Sequence, residues 1–465
     1  MGQIVELEVA TPYGGLGRYD HLALCAALRV DDPSRVVVEQ DGMSRAMVTV
    51  YPSNPLASTP VPTDRDLMMD RKGRIIIGRY HNGRPVYLRL YDMLTGSAQR
   101  IALFGTTGAG KSRSLQLILA ALKRNGAVTW LADLKSGQSV PEAKGQVDWH
   151  ATTQEEAIHM LRAAVAVAEE RMRRYAAMGR TAFLKDDPDP LLFVWIDEAN
   201  RLLEKGAPYR EEATALVKEL GRTGRSVGVG VGLAAQASHL EEMGGSDTLR
   251  GMLKEGEVIL LRWSSGMMRQ LVSDGLLPTG ETLQPIPKYL GVRTLRSRLD
   301  LGDDDDDRPG TQGMAYHLTG EHPTAMLRFS RVGSIAPAPG LDPEIVELYG
   351  NGSVPGVEAA SVDMAGEQYA VRGTGVILPL FDEEDGDGTS TRAPSGAVSP
   401  GRSLRLPDRI LRALQDGPLD TYGVLEALKA DGGKAVKPGS VRNALGDLKA
   451  DGLITSDGGT HTLTE

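Results

Sequence analysis

Gly105-Thr106-Thr107-Gly108-Ala109-Gly110-Lys111-Ser112 stands between an apolar run, Ile101-Ala102-Leu103-Phe104, and a stretch from Ser114 to Leu122 whose composition suits a helix. This is a P-loop in its required strand–loop–helix context. Glycines let backbone N–H groups curl around a polyphosphate, Lys111 reaches the β- and γ-phosphates, and the Ser112 hydroxyl is placed to ligate Mg²⁺. At a helix N-terminus, the loop also offers the positive end of the helix dipole to the same anion. The segment therefore predicts a bound nucleoside triphosphate and a strand-then-helix fold around it.

Outward from this loop, apolar runs recur at Val128–Leu131, Leu191–Ile196, Val227–Leu233 and Val258–Leu261, separated by helical patterns. Alternation of this kind predicts an α/β core with a mainly parallel sheet covered by helices, over residues 96–335. The run Leu191 to Ile196 ends in Asp197-Glu198. On a parallel sheet both carboxylates emerge at the C-terminal edge, where the P-loop also lies. Asp197 is assigned to the Mg²⁺ shell and Glu198 to activation of the attacking water. A strand capped by surface acids reads the same way in isolation; the P-loop decides between the two.

The stretch Gly221-Arg222-Thr223-Gly224-Arg225-Ser226-Val227-Gly228 leads into a strand that ends at Gln236. Gln236 is placed to sense the γ-phosphate or orient water. Arginines just before such a strand lie on the far side of the sheet's chemistry, where they can serve a neighbouring subunit's nucleotide as a finger in trans. Arg222 and Arg225 also read as solvated charges favouring a helix C-terminus.

Together with Ile259-Leu260-Leu261-Arg262-Trp263-Ser264-Ser265, these motifs resemble the motor of FtsK/SpoIIIE-type DNA translocases over roughly residues 20–335. Ala132-Asp133-Leu134-Lys135 falls where that family carries Asp-Pro-Lys, with Leu134 as a departure. The resemblance implies a RecA-like P-loop motor, a DNA-stimulated ATPase using ATP and Mg²⁺. It also implies a homo-hexameric ring with double-stranded DNA in its pore and ATP at subunit interfaces. It makes Arg225 the better finger candidate, with Arg222 and Arg262 as alternatives.

Residues 1–95 read as a small N-terminal α/β subdomain and connector. It contains a helix near His21–Leu28, strands Arg35–Glu39 and Ala46–Tyr51, a Pro-rich connector, and a hairpin turning at Asn82-Gly83. Residues 336–402 turn to Gly, Pro, Ser and acids without periodicity, the composition of a flexible linker. Residues 403–465 read as three helices, near 407–415, 421–430 and 440–450, then a hairpin across Asp457-Gly458-Gly459. That order looks like a winged helix, in which Ser440, Arg442 and Asn443 on the third helix are candidate DNA contacts. Winged helices also serve as protein-interaction modules, and His461 in the wing suits a phosphate contact or a plain surface position equally. A terminal winged helix occurs in FtsK-type proteins and in plasmid-transfer relatives of the TraB kind in actinobacteria. The resemblance thus extends to conjugative plasmid transfer, with a phage or chromosome-segregation pump as the alternative. A nucleotide-switched DNA-binding regulator that does not translocate is the alternative of another class.

Composition agrees with a large multidomain chain: 465 residues, 41% of them hydrophobic. Its one cysteine, Cys25, excludes intramolecular disulfides and a cysteine-rich zinc site, and reads as a small core residue. No apolar run approaches the roughly eighteen residues that cross a bilayer, and Met1 to Ala10 carries no basic segment followed by an apolar one, so neither a membrane anchor nor a signal peptide is expected. A cytoplasmic protein is expected, reaching a membrane only through a partner such as a transfer apparatus. The net charge of -9 is concentrated in acids at 303–307 and 382–387, leaving the remainder near neutral.

Overall fold

The computed structural model describes residues 3–10, 20–41, 44–236, 244–262, 283, 285–290, 310–319, 325–380, 406–415, 417–430, 441, 444–445, 448–449, 453–457 and 460–464. They belong to two compact units, residues 1–383 and 384–465.

The first unit opens with β1 (Val5–Ala10), the helix His21–Ala27, β2 (Val36–Asp41) and β3 (Arg45–Val50). The Asp20 carboxylate caps that helix by accepting from Leu22 N and Ala23 N. The strands form an antiparallel sheet in the order β1-β3-β2. Cys25, Val30, Val36 and Val48 make its core, as expected for Cys25. The Asn82-Gly83 hairpin is present, formed by β4 (Arg74–Tyr80) and β5 (Pro85–Arg89), with Gly83 at φ +78°. It is not part of the small N-terminal sheet. Residues Leu327 to Phe329 pair with Tyr80 to Gly78, which carries the hairpin into the central sheet.

Among the described residues, that sheet has ten strands. After the short pair β6 (Tyr91–Asp92) and β7 (Ser97–Ala98) come β8 (Arg100–Gly105), β9 (Val128–Asp133), β10 (Trp149–Ala151), β11 (Leu192–Asp197), β12 (Val229–Ala235), β13 (Glu257–Leu261), β14 (Met314–Leu318) and β15 (Met326–Phe329). The order is β10-β9-β11-β12-β8-β13-β14-β15-β4-β5. From β10 to β13 all pairs are parallel, and from β13 to β5 all are antiparallel. Every residue of β8, β9, β11, β12 and β13 is buried. Both faces of these strands are therefore covered, which is why their sequences are unbroken apolar runs and not alternating ones. The glycines of β12 have a packing reason: a Cβ on Gly232 would come within 2.3 Å of the Trp195 ring, and one on Gly230 within 2.6 Å of the Phe193 ring. The two rings stack at 6.3 Å in the room so left.

The flexible linker expected from residue 336 does not begin there. Residues 343–348 and 359–370 are helical, and Ile345, Tyr349, Val357, Ala365 and Tyr369 are buried in the main core. Tyr369 packs against Trp130 and Trp149, with Arg372 stacked 3.7 Å from its ring centre. Glu358 accepts a bidentate pair from the buried Arg171 of the long helix Gln154–Ala177. A few anchors in a Gly/Pro-rich background hold this strap, and averaged composition conceals them. The rest of the expected linker, residues 381–402, lies outside the described residues.

In the second unit, helices Leu406–Leu414 and Thr421–Ala430 match the expected first two. The hairpin is β17 (Ile454–Asp457) with β18 (Thr460–Leu463), and β16 (Leu419–Asp420) adds a third strand on β18. The expected third helix lies largely outside the described residues, although Val441, Ala444, Leu445 and Leu448 are buried with Ile410, Val424 and Ile454. Among the described residues, no helix is long and apolar enough to cross a membrane.

Candidate active site

The parallel register brings the strand ends to one line. Asp197 is level with Asp133 of β9 and Ala234 of β12, and Gly105 is level with Leu261 of β13. The loop after β8 therefore opens at the same edge as the carboxylates after β11. Gly108 and Gly110 lie at φ +73° and +100°, a region costly for side-chain-bearing residues, and Gly110 leads directly into the helix Lys111–Arg124. Gly313 N donates to Ala109 O, so the chain before β14 backs the loop from behind. Thr107 and Gly108 at the tip are exposed, and Thr106, Gly110 and Ser112 are half-buried.

Successive strand residues point to opposite faces. Asp197 and Glu198 escape that rule because Glu198 turns to φ +54°, ending the strand sharply. Both carboxylates then reach Lys111, whose Nζ lies 2.6 Å from Asp197 Oδ1 and 3.0 Å from Glu198 Oε1. All three side chains are buried. Gln236, one residue past β12, donates from Nε2 to Glu198 Oε2 at 3.1 Å. The expected set of P-loop, Asp197, Glu198 and Gln236 is thus assembled within one chain.

Lys135 joins it, a residue to which the sequence reading gave no role. Its Nζ is 2.7 Å from Glu198 Oε1. The fully buried Asp133 makes this possible: its Oδ1 accepts from Lys135 N and its Oδ2 from Ser139 N and Val140 N, folding residues 134–139 back over the strand end. The signal was the Asp133-Leu134-Lys135 triplet itself. Burial pushes the Glu198 carboxyl up, but the Lys135 hydrogen bond and the nearby Lys111 charge outweigh it and hold the group below its ordinary range.

Asp197 Oδ2 is buried and has no hydrogen-bond partner. A buried carboxylate oxygen without a donor suits a cation, and Ser112 stands at the start of the neighbouring helix. Among the described residues, no three His, Cys, Asp or Glu side chains gather to hold a metal by themselves. Asp197 and Ser112 therefore fit Mg²⁺ that takes its remaining ligands from phosphates and water.

Arg225 is not brought to this edge. It lies beside Arg100, the first residue of β8, whose guanidinium donates to Gly221 O and pairs with Glu255. The length of β8 separates that end from the P-loop by about 17 Å. Arg225 Nε is buried without a partner, and Arg222 is exposed. Arg262, directly after β13, sits against the P-loop tip of its own chain, with Nη1 3.6 Å from the place a Cβ would take on Gly108. In the second unit, His461 is held by Ser456 Oγ and Thr421 Oγ1. Ser440, Arg442 and Asn443 lie outside the described residues.

No protein-family model and no curated protein matches the sequence. Among solved structures, the chain is similar to the pCW3 conjugation coupling protein TcpA in its monomer form with ATPγS. Identity is 15% and the TM-score 0.46, over 70% of this chain and 85% of that one. It is similar also to the cytoplasmic domain of the type VII secretion ATPase EccC of Thermomonospora curvata, at 22% identity and TM-score 0.44, over 72% of this chain and 35% of that one. A third is VirB4 of Thermoanaerobacter pseudethanolicus, at 10% identity and TM-score 0.34, over 57% of this chain and 98% of that one. Likeness at this level carries no activity over to this chain.

Proposed function

We propose that this chain is an ATP-hydrolysing motor of the FtsK/SpoIIIE type that moves double-stranded DNA, serving conjugative plasmid transfer. The observation that carries the reading is the convergence of Lys111, Asp197, Glu198 and Gln236 at one sheet edge, with Arg225 exiled to the other. A site with a water-activating carboxylate is built for turnover, whereas a nucleotide-operated switch tolerates slow hydrolysis.

ATP with Mg²⁺ supplies the transferable phosphoryl group and the charge that places it. Lys111 and the loop N–H groups bind its phosphates, while Asp197 and Ser112 hold the metal. When Lys111 turns to phosphate, Glu198 keeps Lys135 and Gln236 as neighbours and is free to take the proton of the attacking water. Arg225, too far to act on its own chain's loop, completes the site of the next subunit in a ring of six. The C-terminal unit, read as a winged helix, selects the loading site through Ser440, Arg442 and Asn443.

The test is ATP hydrolysis with and without long duplex DNA, followed by displacement of a triplex-forming strand. Stimulation with displacement is expected. Stimulation without displacement points to the non-translocating regulator, and the absence of both stimulation and displacement overturns the translocase reading.

A further inference from the structure

We propose that Arg262 and Arg328 form an anion site behind the P-loop tip, in which Arg262 binds the polyphosphate held by its own chain's loop. The proposal rests on the nucleotide-binding reading of Gly105–Ser112.

The other buried arginines described in this unit have carboxylate partners: Arg171 has Glu358 and Arg100 has Glu255, while the half-buried Arg174 has Asp189 and Glu358. Arg262 and Arg328 are 9% and 6% exposed, and among the described residues neither meets a carboxylate. Arg262 Nε donates to Thr311 Oγ1, and its Nη2 is buried without a partner. Arg328 donates only to neutral oxygens, Gly310 O and Thr59 Oγ1, and its Nε is likewise unpartnered. Burial weakens the proton affinity of both, and for Arg328 the charge of Arg262 adds to it. Two guanidinium groups held together in a dry site without a counter-charge are unfavourable, and an anion between them and the loop supplies what is missing.

The position of Arg262 identifies that anion. Leu261 pairs with Gly105, so the next residue is level with the start of the P-loop. Arg262 adopts φ +41° and its N–H is fixed to Met314 O, which aims the side chain back along the loop. Nη1 then borders the space that the missing side chain of Gly108 leaves open. Lys111 occupies the Asp197 side of the loop; Arg262 closes the opposite side with a planar fork matched to phosphate oxygens. A side chain buried to this extent and tied to Thr311 is not extended toward a neighbouring subunit, so Arg262 acts in cis and the finger role falls to Arg225.

The test uses the full-length protein at concentrations where light scattering shows a monomer, titrated calorimetrically with Mg-ATPγS and with inorganic tripolyphosphate. Arg262→Gln is expected to weaken both by at least about tenfold. Arg328→Gln should weaken them less, and neither variant should lower the melting temperature of the ligand-free protein. Wild-type protein that binds, with Arg262→Gln binding equally well, overturns this proposal alone. Wild-type protein that binds neither ligand overturns the nucleotide reading as well. Loss of duplex-DNA binding with unchanged ATPγS affinity reassigns the anion to a DNA phosphate and also overturns it. Should Arg262→Gln melt lower, Arg262→Lys carries the test. That variant keeps the charge without the fork, so a fivefold or greater loss of ATPγS affinity supports the proposal and undiminished affinity sinks it.

Discussion

Lys111 Nζ lies 2.6 Å from Asp197 Oδ1, so the lysine expected to hold phosphate instead neutralises the carboxylate expected to hold the metal. The pair is buried, and Glu198 shares the same ammonium. Lys111→Met should therefore do two things. It should abolish ATP binding, and it should destabilise the ligand-free protein by about 3 kcal/mol, the scale for breaking a buried ion pair from one side. Glu198 keeps Lys135 and Gln236, so the uncompensated charge falls on Asp197. Urea denaturation of the double variant Lys111→Met/Asp197→Asn should recover most of that loss while ATP binding stays absent. No recovery would mean that the pair is not what holds this edge.

The contacts of Glu198 separate binding from chemistry. Glu198→Gln should bind ATP and hydrolyse it at least about a hundredfold more slowly, as expected for loss of a general base. Lys135 touches Glu198 and reaches the site only through the loop folded on Asp133. Lys135→Ala should accordingly lower the hydrolysis rate by roughly tenfold and leave ATP affinity unchanged, because it positions the base and not the phosphates. Equilibrium binding beside single-turnover hydrolysis distinguishes the two effects. An affinity loss larger than the rate loss would place Lys135 on the nucleotide.

Arg225 makes a prediction about assembly. Its place beside Arg100, a strand's length from the P-loop, puts it out of reach of its own chain's loop, so under the proposed ring it serves a neighbour's site. Assemblies of Arg225→Ala alone or of Glu198→Gln alone should be inactive. Mixed assemblies should regain hydrolysis, since an Arg225→Ala protomer offers an intact Glu198 to an Arg225 supplied by its Glu198→Gln neighbour. Absence of complementation at every mixing ratio would remove the trans role.

Much of this site was legible because its residues sit where strands stop. The apolar run before Asp197-Glu198 and the glycines before Lys111 locate the strand ends, and the parallel register brings them together. Lys135 was harder to read because its role depends on the buried Asp133 accepting three backbone N–H groups, a contact that no local pattern reports. The strap beyond residue 335 escaped for a different reason. Its buried residues keep helical spacing only in two short pairs, Ile345 with Tyr349 and Ala365 with Tyr369, and the intervening glycines and prolines dominate any average. The Asn82-Gly83 hairpin is legible as a hairpin, but the sequence groups it with residues 1–95 and does not reveal that it joins the central sheet, since pairing of β4 with β15 spans most of the motor sequence.

The strap supplies a prediction in which the direction of pH dependence is set by the structure. Glu358 is largely buried, which raises its carboxyl, yet hydrogen bonds from Arg171 and the charge of that guanidinium outweigh burial and hold it below the ordinary value of 4.5. A carboxyl depressed by folding stabilises the folded state above its unfolded pKa, and that contribution is lost as pH falls through the folded value. Arg171 is fully buried, so Glu358→Gln leaves an uncompensated cation and should cost about 3 kcal/mol at neutral pH. Melting temperatures of wild type and variant should be well separated and parallel above about pH 6, and should converge as pH drops below about 4.5. A gap that stays constant down to pH 3 would show that the Glu358 carboxylate is not what fastens the strap to the long helix.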